Sequence, residues 1–204
     1  MFTCILLTAG LSRRFGSPKA LAILERETVI ERLQNLLLTT QIDEIVIVLG
    51  AQAECIKPYL LKHNKVKFVY HKDYNLGQTS SFKAGMLGSS KNVDGFLLLP
   101  VDYPFIQKQT INVLIRFFKK CRPLIVIPSF DGKRGHPPLF SAVLKHELLN
   151  IDNTCGINSL IQAHKDGVEI LAVEDEGVVR TFNTPEEWKV LTALNRKHHV
   201  IPEQ

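Results

Sequence analysis

The chain has 204 residues, enough for one domain with a sizeable core. Apolar residues make up 45% and charged residues 22%, with only 12 glycines and 10 prolines, which excludes disordered, collagen-like and low-complexity classes. The formal net charge of +5 points to an anionic partner: nucleic acid, an anionic membrane surface or a phosphorylated small molecule.

The chain opens on an apolar run, Met1 to Leu11, but Arg13 and Arg14 follow that run rather than precede it, unlike a secretory leader. The apolar run Ile45 to Leu49 suits a strand rather than a membrane span. Cys4, Cys55, Cys121 and Cys155 are scattered, without a C-x-x-C pair, so free thiols are expected rather than a zinc site or a disulfide framework. The expectation is a soluble cytoplasmic protein.

Short β-branched or leucine-rich runs predict strands over Thr3–Thr8, Glu44–Gly50, Val66–His71, Gly95–Leu99, Leu124–Ile127 and Glu169–Val173. Their continuous apolar character fits strands covered on both faces, as in a parallel sheet. Helical spacing predicts helices over Thr28–Leu38, Ala53–Lys62, Gln78–Leu87, Gln107–Lys119, Ala142–Leu149, Gly156–Ala163 and Pro185–Asn195. This alternation predicts a single-domain α/β fold over residues 1–197, with a doubly wound, mostly parallel sheet, and a polar tail at 198–204. Ligands of such folds bind beyond the carboxyl ends of the strands.

The first strand exits into Leu7-Thr8-Ala9-Gly10-Leu11-Ser12-Arg13-Arg14-Phe15-Gly16-Ser17-Pro18-Lys19. Its glycines let backbone amides approach a phosphate, and its arginines and lysine neutralise one. The spacing is neither a Walker A loop nor a dinucleotide fingerprint. After the fourth predicted strand, Asp102 lies in Pro100-Val101-Asp102-Tyr103-Pro104, where a lone carboxylate either faces the ligand crevice or starts a turn. Near the end, Thr181-Phe182-Asn183-Thr184-Pro185-Glu186-Glu187 opens the last helix, with a cap residue, proline at the first helical position and acids in the first turn.

The first loop closely resembles the L-x-A-G-x-S-x-R-F/M-G-x-x-K signature of the MobA-like NTP transferases, with Gly10, Ser12, Arg14, Gly16 and Lys19 in register. Segments around Tyr74, Gly77 and Ser81, at Asp102-Tyr103-Pro104, at Gly135-His136-Pro137 and at Asn183-Thr184-Pro185-Glu186 resemble further family motifs in the same order. The resemblance implies a Rossmann-like nucleotide-diphospho-sugar transferase fold and a nucleotidyltransferase dependent on Mg²⁺. It implies that Leu7, Thr8, Ala9 and Gly10 line the nucleobase pocket. Arg14 and Lys19, with the amides around Ser12 and Gly16, would hold the triphosphate, and Gly77 and Ser81 would frame the pocket. Asp102 would be a metal ligand and, with Arg14 and Lys19, catalytic; Asn183 would complete the metal site or cap the last helix, or do both.

Lys133, Arg134, Gly135 and His136 are implied on the acceptor side. Ala9 in the third loop position matches the cytidylyltransferase branch, which favours CTP over GTP, with molybdopterin as the implied acceptor. The resemblance also implies transient contact with a molybdoenzyme or its chaperone. Five residues depart from the family pattern: Thr8 where alanine is common, Phe15 for Met, His71 for Asn, Thr181 for an acid or amide, and Asn158 where many relatives carry arginine.

Three functions remain in view. A transferase moves a nucleotidyl group to a molybdopterin or a sugar phosphate. An idle nucleotide- or pterin-binding protein is motivated by the Thr181 and Asn158 departures. A nucleic-acid module is suggested by basic residues at Lys57–Lys72 and Arg116–Arg134, but acids interrupt both clusters and no recognition motif accompanies them. The reading adopted is the transferase, with neither nucleic acid nor membrane as partner.

Overall fold

All six predicted strands form, and they lie in one sheet whose order places a ligand crevice at its centre. The computed structural model describes residues 1–199, the last five by backbone alone. The tail expected over 198–204 lies, from residue 200 on, outside the described residues. The strands are β1 (Phe2–Leu7), β2 (Ile23–Leu24), β3 (Glu27–Thr28), β4 (Glu44–Leu49), β5 (Val66–Tyr70), β6 (Gly95–Pro100), β7 (Ile125–Phe130), β8 (Lys133–Arg134), β9 (Leu139–Ser141) and β10 (Val168–Ala172). The helices are α1 (Val29–Leu38), α2 (Ala53–Ile56), α3 (Gln78–Gly88), α4 (Lys108–Cys121), α5 (Lys145–Asn150), α6 (Gly156–Ala163) and α7 (Pro185–His199).

The main sheet has eight strands in the order β10-β7-β9-β6-β1-β4-β5, with β8 paired to β7. The pairs β1/β4, β1/β6, β4/β5 and β7/β10 are parallel, while β9 runs antiparallel to both β6 and β7. From β1 the chain winds outward through β4 and β5, then returns to β6 on the other side. That reversal makes a topological switch point, where a doubly wound sheet opens a crevice for ligand.

Alternation along β1 sorts its side chains onto two cores. Phe2, Cys4 and Leu6 face a cluster that includes Leu33 of α1, Leu114 of α4 and Leu191 of α7. Ile5 and Leu7 face the other cluster, with Phe82 and Met86 of α3, Leu148 of α5 and Leu160 of α6. Every residue of β1, β4 and β6 is buried, as expected of central strands covered on both faces. A capping box opens α1: the Thr28 hydroxyl accepts from the Glu31 amide, and Glu31 accepts from the Thr28 amide at 2.9 Å.

Three boundaries differ from expectation. The helix predicted over Ala53–Lys62 stops at Ile56 and tightens into a 3₁₀ turn over Lys57–Tyr59, because Pro58 has no N–H to continue the ladder. The one predicted over Ala142–Leu149 begins as a 3₁₀ turn, Ala142–Leu144, capped by Ser141, before α5. Strand β7 runs beyond Ile127, through Pro128 to Phe130, since the β8 hairpin pairs with Ser129 and Phe130 after the proline. Among the described residues no helix is long and apolar enough to cross a membrane.

Candidate active site

The loops leaving β1, β4 and β6 enclose a cavity of about 320 Å³ at the switch point. Thr8 ties the base of the first loop to β4: its amide and its hydroxyl both donate to the Val48 carbonyl, at 3.1 and 2.7 Å. The Val101 amide donates to the Leu7 carbonyl from the β6 side. A Cβ on Gly50 would stand 2.6 Å from the Ala9 carbonyl oxygen, so only glycine lets these two loops meet. Leu7, Thr8, Ala9 and Gly10 line the cavity.

Further along, the loop folds on itself. Phe15 and Gly16 donate their amides to the Ser12 carbonyl, and the Ser12 hydroxyl accepts from the Lys19 amide at 3.3 Å. Ser12, with φ of +50°, therefore shapes the loop as well as lining the cavity, whereas Gly16, with φ of +79°, turns just outside it. The Phe15 ring packs edge-on against Phe182 at 5.2 Å, and Phe182 lies 4.4 Å from Trp188. This aromatic stack moors the loop to the chain before α7.

Mooring brings four predicted residues together. The Lys19 ammonium donates to Asp102 Oδ2 at 3.0 Å and to Asn183 Oδ1 at 2.9 Å. Arg14 donates to the same Asn183 oxygen at 3.0 Å. All four residues line the cavity, and Lys19 and Asp102 are 13% and 22% exposed. One carboxylate and one amide oxygen thus converge on a single cation at bonding distance. Two hard oxygen donors fit a small divalent ion that completes its shell with water and phosphate oxygens. No cluster of three His, Cys, Asp or Glu residues occurs among the described residues. Asn183 also serves the last helix: its amide donates to Glu187 at 2.6 Å, while the Thr184 hydroxyl accepts from the Glu187 amide.

Gly77, Ser81 and Tyr74 close the far wall. Gly77 adopts φ of +95°, which favours glycine, and its carbonyl accepts from the Ser80 and Ser81 hydroxyls at 2.8 and 3.2 Å. His71 sits 3.0 Å from the Ser80 hydroxyl, and burial pushes its imidazole down, with nearby Asp73 opposing. His71 therefore supports the start of α3 in place of the amide usual there.

A second cavity, of about 290 Å³, lies on the β7 side. Arg134, Gly135 and His136 line it together with Asn158 and Gln162 of α6, while Lys133 faces neither cavity. The His136 ring lies 4.6 Å from that of Tyr103, and its Nδ1 is buried with no hydrogen-bond partner among the described residues. Burial pushes His136 down, opposed by a hydrogen bond to the Leu98 backbone and by the charge of Asp102. The Tyr103 phenol is pushed up to about 12 by burial and by Asp102, against a hydrogen bond with Thr181. Thr181 thus meets Tyr103, which lines the second cavity.

Some lining residues carried no sequence signal. Gln52 and Ile56, beyond β4, line the first cavity without any glycine or charge pattern to mark them. Nothing in the sequence marked the Phe182–Trp188 stack.

A basic loop with two glycines at the switch point of a doubly wound sheet, beside converging cations and oxygen donors, has the composition of a nucleotide site in an α/β enzyme. Comparison with known proteins narrows the class: the chain belongs to the MobA-like NTP transferase family, whose model matches residues 4–168. It is a nucleotidyltransferase. It is 27% identical over 194 residues to the Nicotine blue oxidoreductase of Paenarthrobacter nicotinovorans, covering 91% of this chain and 93% of that one. It is 23% identical over 195 residues to the Molybdenum cofactor cytidylyltransferase of Escherichia coli (strain K12), covering 95% of each. The crystal structure of a Mycobacterium sp. strain JC1 protein, the homologue of M. tuberculosis Rv0371c, superposes with a TM-score of 0.84 at 22% identity, covering 97% of this chain and 98% of that one.

Proposed function

We propose that the protein transfers CMP from CTP, with Mg²⁺, to the phosphate of molybdopterin and releases pyrophosphate. The observation that carries this reading is the convergence of Lys19, Asp102 and Asn183 inside the cavity framed by the first loop. Arg14 and Lys19 draw the triphosphate in, and the loop amides take up its oxygens. Asp102 and Asn183 would hold the metal. When bound, Mg²⁺ supplies charge neutralisation at the α-phosphate and the departing pyrophosphate.

A phosphate oxygen of the acceptor, seated in the second cavity, attacks the α-phosphorus in line. The new P–O bond forms as the bond from the α-phosphorus to the bridging oxygen breaks, and the electron pair leaves on pyrophosphate. The protein supplies position and electrostatics, without a covalent intermediate. Arg134 gives the second cavity a cation for the acceptor phosphate, and Asn158 and Gln162 give it neutral polar contacts. The preference for cytosine rests on Ala9 in the nucleobase wall. A reducing cytoplasmic setting, supported by four free cysteines, belongs to the same proposal.

The test is product analysis after incubating the protein with Mg²⁺, molybdopterin and each of CTP, GTP, UTP and ATP. The cytosine dinucleotide of molybdopterin is expected as the main product. Absence of pyrophosphate release and of any nucleotidyl product with all four nucleotides, across molybdopterin and a set of sugar phosphates, overturns the transfer reading in favour of an idle binding protein. A second reading follows from the oxidoreductase relative together with the Tyr103–His136 ring pair, which offers a planar heteroaromatic a stacking wall. Consumption of NADH or NADPH in the presence of such a heterocycle, without pyrophosphate release, would favour it.

A further inference from the structure

The two cavities are neighbours, and the chain crosses between them at two places. After β6, Asp102 lines the first cavity and the next residue, Tyr103, lines the second. Opposite them, at the first position of α3, Gln78 lines both. No other residue is common to the two walls. Gln78 is exposed, and no hydrogen bond to its side-chain amide is made by any described residue. Two unused N–H donors and one carbonyl acceptor therefore stand at the boundary between the cavities.

A transfer between ligands in these cavities has its reacting atoms at that boundary. Both reacting groups are phosphates, and their mutual repulsion opposes the approach. Lys19 and Arg14 line the first cavity alone, and Arg134 lines the second alone. Gln78 is the group common to both sides.

We propose that Gln78 is a catalytic residue of the transfer, its side-chain amide donating one N–H to the attacking acceptor phosphate and the other to a non-bridging oxygen of the α-phosphate. The assignment rests on the transfer reading above. In the step, the acceptor oxygen bonds to the α-phosphorus, the bond to the bridging oxygen breaks, and pyrophosphate carries away the electron pair. The amide moves no proton. It holds the two anions in line and stabilises charge that builds between them. A neutral donor suits this position, because a lysine there would compete with the metal for the same oxygens.

The experiment has two arms. In the first, ¹⁵N-glutamine labelling reports the Gln78 amide resonance, assigned by its loss in Gln78→Leu. The signal is expected to shift on adding CTP with Mg²⁺, and separately on adding molybdopterin. A resonance moved by only one ligand, or by neither, overturns the proposal. In the second, Gln78→Leu is expected to keep its melting temperature and its affinity for CTP with Mg²⁺ while kcat falls about a hundredfold. Gln78→His, which restores a donor, should recover part of that loss. A leucine variant within threefold of wild-type kcat, or one that loses CTP affinity in the same measure as kcat, overturns the proposal. A wild-type protein that forms no dinucleotide refutes the transfer reading instead, and the resonance arm still decides where Gln78 stands.

Discussion

Replacing Lys19 by methionine tests the cation site without reference to turnover. The Lys19 ammonium lies 3.0 Å from Asp102 Oδ2 and 2.9 Å from Asn183 Oδ1, so it holds the place a divalent ion would take between those oxygens. An ion arriving without nucleotide must displace it. At 3.0 Å the ammonium–carboxylate attraction is about 1.4 kcal/mol in water-like surroundings and about 5.5 kcal/mol at an effective dielectric of 20. With the two side chains 13% and 22% exposed, the value falls between these limits, and desolvation keeps it near the lower one.

Lys19→Met keeps the aliphatic stem near the Phe182 ring, 5.5 Å from the ammonium, and removes the charge. In the nucleotide-free protein, Mn²⁺ binding followed by the EPR signal of the free ion should tighten about tenfold or more, each tenfold being 1.4 kcal/mol. Affinity for CTP should fall in the same variant, because the triphosphate loses a cation. Unchanged or weaker Mn²⁺ binding in Lys19→Met would refute the assignment of Asp102 and Asn183 as ligands.

Other outcomes follow from the same geometry. Phe182→Ala empties a fully buried ring site between Phe15 and Trp188 and should cost about 3–5 kcal/mol, a fall in melting temperature of about 10 °C, measured by calorimetry. Gly50→Ala sets a Cβ against the Ala9 carbonyl and should cost about 1–3 kcal/mol in urea unfolding, with weaker CTP binding as the first loop moves. Burial depresses His136 and His71 in the folded state, so the unfolded chain takes up protons first as pH falls. Stability should be full above about pH 6.5 and decline below it, by up to about 1.4 kcal/mol per pH unit for the buried His136 and by less for the more exposed His71. Urea midpoints at pH 8, 7, 6 and 5 check this, and His136→Phe should flatten the decline; an equal slope in that variant would contradict the role of burial.

The central sheet was legible because β1, β4 and β6 are buried on both faces and carry unbroken apolar runs. The strands β8 and β9 were not, since two and three residues are too short to show a period, and the pair of prolines before Leu139 reads as a loop. The first cavity was legible from its loop, whose glycines and cations have few other uses at a strand's exit. The second cavity was harder to see. Arg134, Asn158 and Tyr103 come from three distant segments that β9 brings together by inserting antiparallel between β6 and β7. Lys133 neighbours Arg134 in sequence but faces neither cavity, a distinction that spacing alone does not draw. Thr181, one of the departures from the family pattern, hydrogen-bonds Tyr103, while the amide oxygen that meets Lys19 comes from Asn183, two residues on.

The most direct test of nucleotidyl transfer follows two labels through one reaction of the protein with CTP, Mg²⁺ and molybdopterin. Label on the α-phosphate should appear in a molybdopterin–CMP product, and label on the γ-phosphate should appear in pyrophosphate, with both signals lost in Asp102→Ala. Label found instead in free CMP or inorganic phosphate, or transfer undiminished in Asp102→Ala, would contradict the account.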